Sequence, residues 1–239
     1  MVKKLKVPKP NNPSHFENLK ANIIEVNNLV GIHVFLTGEK PGRRRNVEVL
    51  NKSAVVLLVA CWEAFIEDLA KTSFQFLIEE ARGPNDVPSV VQARSGRPLK
   101  ESKDEREIWK LAGDGWREVL RAYADEMLLQ TVGKLNTPRP QQIDRLFENL
   151  LGYTNLSSTW CWNQATAKKN CKKLDDLVTL RGSISHRVTA NVSVKKSTVL
   201  SAFNLILRLS VISSNRTAML LEKMVGKYPW GMLIDKGVS

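Results

Sequence analysis

The chain has 239 residues, 43% hydrophobic and 25% charged, with 13 Gly, 10 Pro and three cysteines; this composition excludes disordered, collagenous and disulfide-stapled classes and suits one large domain or two small ones. Cys61, Cys161 and Cys171 are odd in number and share no C-x-x-C spacing, so no disulfide framework or zinc site is expected, and the expected compartment is reducing. Thirty-six Lys and Arg face 24 Asp and Glu, a net charge of +12, and residues 140–239 hold 14 basic and 6 acidic side chains against 22 and 18 before them. Such a surplus either suits a polyanionic partner, nucleic acid before membrane, or serves solubility alone.

In chain order, residues 1–13 form a Lys/Pro/Asn arm expected to be extended or disordered. The remainder, residues 14–239, reads as a single domain. No apolar core follows the basic Met1–Lys9 start, so no signal peptide is expected. Ser14-x-x-Glu17 has the form of a capping box. Behind it Phe16, Leu19, Ile23, Val26 and Val30 recur at helical spacing until Gly38 and Pro41-Gly42. Arg43–Arg45 opens a second helix running to about Ala81, stopped by Gly83-Pro84. Its middle, Ala54–Trp62, is apolar nearly all round and marks a helix surrounded by others. That run falls short of the ~18–20 residues a membrane span needs, so the expectation is a soluble cytoplasmic protein with no membrane partner.

Residues 87–104, with Pro88, Gly96, Pro98 and several charges, read as an irregular insertion. Helical pattern resumes at about Glu105–Leu111 and at Asp114–Leu135, with Asp114 at the N-cap. Thr137–Pro140 punctuates the chain. A short helix follows near Gln141–Leu151 and ends at Gly152. Trp160-Cys-Trp162 connects to a helix from about Gln164 to Arg187. A long amphipathic helix, about Lys195–Val225, closes the chain at Gly226. The expected fold is all-α: a bundle of long helices with an irregular insertion.

Three imidazoles are available. His15, in the first turn of the first helix, is expected in solvent, and His33 is expected to be partly buried and hydrogen-bonded. No H-E-x-x-H, P-loop, G-x-G-x-x-G, G-x-S-x-G or EF-hand pattern is present, so no metal or cofactor is expected. His186 differs, because Arg181 stands five residues before it. The spacing puts a fixed cation and a group titrating near neutrality on adjacent turns, roughly 140° apart on an ideal helix. Arginine's reach and the slack at Gly182 would bring both to one phosphate. A histidine can deprotonate a 2′-hydroxyl or protonate a leaving 5′-oxygen, and a guanidinium can stabilise the charge of a pentavalent transition state. The competing reading pairs Arg181 with Asp175 or Asp176 and makes His186 a helix cap. Lys168, Lys169, Lys172 and Lys173 suit an RNA-tracking edge or a solvated face equally. Ser183 and Ser185 either touch phosphate or are plain helical serines. Trp160 and Trp162 either stack bases or anchor the core. Cys61 reads as packing.

The buried helix Ser53–Asp68, with its apolar run followed by Glu63, the Arg181–His186 segment, and the amphipathic helix behind it together resemble the HEPN superfamily. These are the higher-eukaryote and prokaryote nucleotide-binding helical domains, and the nearest resemblance is to the RiboL-PSP branch, over roughly Ser14 to Gly226. The resemblance implies a helical bundle, and metal-independent endoribonuclease activity in a toxin or antiviral defence effector. It implies Arg181 and His186 as the catalytic pair, and Glu63, the acidic residue of the second helix, as a substrate-binding candidate. Gly182 departs from the family pattern, where a polar residue commonly follows the Arg. Cleavage by transesterification uses an acid and a base, yet each chain offers one motif histidine, so a homodimer with a composite site is expected. RNA is the expected partner, with an antitoxin protein in a toxin–antitoxin setting. The alternative is a non-catalytic helical module that binds RNA, nucleotide or protein.

Overall fold

The computed structural model describes residues 12–37, 48–131, 138–163, 165–186 and 193–234. Seven α-helices occur among them: α1 (Ser14–Thr37), α2 (Glu48–Glu80), α3 (Ser89–Glu101), α4 (Gly115–Thr131), α5 (Pro140–Leu151), α6 (Ala167–His186) and α7 (Lys196–Val225). Short 3₁₀ turns lie at Pro84–Asp86, Glu105–Leu111 and Leu156–Thr159, and no strand is present among the described residues. Residues 1–11, the Gly38–Gly42 stop, Arg43–Arg45 and residues 132–137 lie outside them.

α2 is the axis of the bundle. Its 33 residues contain neither Gly nor Pro, and α1, α4, α5, α6 and α7 all pack on it. Leu58, Trp62, Phe65, Ile66 and Leu69 are essentially inaccessible, as the all-round apolar pattern predicts. Trp62 stacks on Phe65 and meets Trp160 edge-on, both with ring centroids 5.8 Å apart. The Trp160 indole donates to the Ser213 hydroxyl at 2.9 Å, and Asn170 donates to the Trp160 carbonyl at 2.9 Å. Trp160 is therefore a core anchor, and its polar edge is satisfied from α7. α2 and α7 each contain an 18-residue window apolar enough to cross a membrane by length and composition. Half of each window is buried inside the bundle, so those side chains serve the core.

Two expectations need correction. Residues 87–104 are mostly ordered helix: α3 occupies Ser89–Glu101. The reason is the spacing of Val91, Ser95 and Leu99, which puts three inward positions on one stripe. Pro98 lies on the exposed side, where the lost amide costs least. Residues 105–111 are helical as expected, in the tighter 3₁₀ form. His15 is fully buried, not solvated. It continues the stripe of Leu19, Ile23 and Val26, and the chain near Trp230 folds back over it, with ring centroids 4.6 Å apart.

The start of α1 also differs in detail. The Pro13 carbonyl accepts from the amides of Phe16 and Glu17, while the Glu17 carboxylate accepts from Asn12 at 2.6 Å and Lys20 at 2.9 Å. Two helix stops fall where glycine demands them. Gly152 (φ 62°) ends α5 and Gly226 (φ 75°) ends α7, both left-handed; at Gly152 a Cβ would also lie 2.8 Å from the Pro88 side chain.

Candidate functional site

α6 presents one buried stripe to α2: Asn170, Leu174, Leu177 and Val178. Arg181 is the next residue on that stripe, half-buried, with its Nε shielded from solvent. A guanidinium keeps its proton even where an amine would neutralise. Placing it there instead of Leu costs solvation, which the surroundings must offset.

The offset comes from α2. Burial pushes the Glu63 carboxyl above the usual carboxylate range, and the nearby Arg181 charge pulls it back down. Glu67, one turn further along α2, is raised by burial and then by the negative charges of Glu63 and Asp68. Asp68 accepts a hydrogen bond from Asn18 of α1 at 2.9 Å. A fixed cation thus lies near the half-buried Glu63 carboxyl, where the field of each charge is stronger than in water.

Asp175 and Asp176, the acids of α6 itself, are each engaged by another cation. Arg139, at the start of α5, donates to the Asp175 carboxylate at 3.1 Å and to the Thr179 hydroxyl at 3.0 Å. Lys172 pairs with Asp176 at 3.0 Å. Lys172 therefore lies on the far face of α6, about 180° from Arg181 by helical register, whereas Lys173 faces a groove between α6 and α7. Ser185 is exposed and shares Arg181's face at i+4. Ser183 does not, and its hydroxyl donates to the Thr179 carbonyl at 3.1 Å. A Cβ on Gly182 would meet nothing within 4 Å. His186 is the final residue of α6; its side chain, like that of His33, lies outside the description.

The structure thus brings Arg181, Glu63 and Ser185 to one region, with His186 closing the same helix. It separates Lys172 and Ser183 from them. Sequence reasoning missed Glu67 and Arg139. For Glu67 the signal was its i+4 relation to Glu63; for Arg139 there was none, since its partners lie on another helix.

An all-α bundle with an R-x4-H segment at the end of its penultimate helix, facing an acidic residue on the central helix, is the architecture of a HEPN domain. The chain matches the RiboL-PSP-HEPN family model over residues 17–213, and it belongs to that family. No curated protein and no solved structure matches the chain.

Proposed function

We propose that the chain is a metal-independent HEPN-type endoribonuclease, a cytoplasmic toxin or antiviral defence effector acting as a homodimer. The observation that supports this best is Arg181. It is a half-buried cation on a core stripe of α6, beside Glu63 of the central helix.

In this reading Arg181 binds the scissile phosphate. One His186 imidazole takes the proton of the 2′-hydroxyl, whose oxygen attacks phosphorus. The bond from phosphorus to the 5′-oxygen breaks, and a protonated His186 from the second chain gives that oxygen a proton. The products are a 2′,3′-cyclic phosphate and a 5′-hydroxyl. Arg181 offsets the charge that grows on the pentavalent phosphorus. Glu63 positions Arg181 and does not touch substrate. In a toxin–antitoxin setting, an antitoxin protein would hold the enzyme inactive.

The test is incubation of total cellular RNA with the purified protein in EDTA, followed by end mapping. Cyclic-phosphate 3′ ends are expected, and 3′-hydroxyl ends or intact RNA would reject the reading. Gly182 favours a second reading, because the position beside Arg181 lacks the polar side chain usual in the family. A non-catalytic module binding RNA, nucleotide or protein would retain RNA without cutting it.

A further inference from the structure

A second cleft, of about 700 Å³, opens between α6 and α7. Its α7 wall carries a polar stripe at i, i+4, i+7 and i+11, Ser197, Ser201, Asn204 and Arg208, beside the deeper Ala202 and Leu205. Ser197, Ser201 and Asn204 are exposed and Arg208 is half-buried, so this is the solvent side of an amphipathic helix, and it gives the cleft a row of hydrogen-bonding groups that ends in a charge. Lys173 forms part of the facing wall, and Trp162 also lines the cleft. The Arg208 guanidinium lies over the Trp162 ring, 5.6 Å from its centroid.

Charge decides what such a cleft takes. Among the described residues, neither Lys173 nor Arg208 meets a carboxylate, while the cleft's acid, Asp176, is neutralised by Lys172 from outside. Two uncompensated cations, a half-buried indole and a row of hydroxyl and amide groups match the parts of an unpaired nucleotide: phosphate, base face and sugar oxygens. A duplex keeps its bases stacked internally and offers no face to an indole in a groove.

We infer that the α6–α7 groove binds the single-stranded RNA segment flanking the scissile phosphate, with a base packed on the Trp162–Arg208 pair and phosphates on Lys173 and Arg208. This rests on the ribonuclease reading for its placement, because α6 carries both Lys173 and Arg181. Eight residues of helix separate them, about 12 Å along the axis, so one strand spans groove and site.

The experiment measures binding of the full chain to a labelled single-stranded RNA whose 2′-hydroxyls are methylated, so that it is not cut, with the matching duplex alongside. Trp162→Ala and Arg208→Gln should each weaken single-strand binding about tenfold, Lys173→Gln less, with duplex binding unchanged. Arg208→Gln and Lys173→Gln change only partly or fully exposed side chains, so they remain readable if Trp162→Ala misfolds. Wild-type binding in both cation variants, or a wild-type chain that ignores the single strand, would overturn the groove. Groove-dependent binding together with natural RNA left uncut would keep the groove and remove the ribonuclease reading. Cleavage with binding indifferent to the groove variants would do the reverse.

Discussion

His15 and Arg181 both interrupt apolar stripes of this bundle, and they are handled in opposite ways. His15 is sealed. Its Nε2 hydrogen-bonds the Ser214 hydroxyl at 2.9 Å, and the rings of Phe65 and Trp230 stand edge-on around it. Burial lowers its pKa to about 3, so it is a neutral part of the core. Arg181 cannot neutralise, stays half-open, and lies near the Glu63 carboxyl that burial has raised. An imidazole can be buried by giving up its proton, whereas a guanidinium on the same kind of stripe keeps its charge and therefore a route to solvent. The first stabilises the fold; the second leaves a charged group where a phosphate can reach it.

The contrast breaks most visibly at His15. His15→Ala should cost about 2–4 kcal/mol in chemical denaturation, through a cavity and an orphaned Ser214 hydroxyl. Cleavage per folded molecule should not change; a loss of activity at full stability would reverse the assignment of roles. Acid sharpens the same point. As pH falls below the unfolded value of about 6.5, the unfolded chain takes up a proton that folded His15 refuses until about pH 3. The stability His15 secures is therefore complete above pH 6.5 and drains away toward pH 3, by at most about 1.4 kcal/mol per pH unit. His15→Gln should flatten that slope between about pH 7 and 5, above the range of most carboxylates.

At the other site, Glu63→Gln should leave stability within about 1 kcal/mol, since relief of a buried charge offsets the lost attraction to Arg181. It should lower cleavage about tenfold; a large drop in Tm with full activity would make Glu63 a structural residue only. The smallest effect is expected at Gly182. With open space around a new Cβ, Gly182→Ala should stabilise α6 by roughly 0.5–1 kcal/mol, read as a small rise in Tm.

Much of the bundle is legible in the sequence because helical signals are local. The all-round apolar run of α2 marks the central helix, and Gly152 and Gly226 mark the helix ends. The misread parts depend on distant partners. His15 lies in phase with Leu19, Ile23 and Val26, yet its cover is Trp230, more than 200 residues away. α3 has a clear stripe, but Gly96 and Pro98 outweigh it in a local reading, although the proline falls on the solvent side. Arg181 and His186 stand out by spacing and by resemblance. The engagement of Asp175 by Arg139 does not, because α5 and α6 meet only in three dimensions. The polar stripe of α7 is visible in the sequence, and its meaning depends on α6 lying opposite.

The most direct test is cleavage of cellular RNA in EDTA by wild type, Arg181→Ala and His186→Ala, each first shown to keep wild-type helicity and Tm. The account predicts cyclic-phosphate ends with wild type and a fall of about 100-fold or more in each variant. Equal cleavage by folded Arg181→Ala or His186→Ala would place the chemistry elsewhere and contradict it.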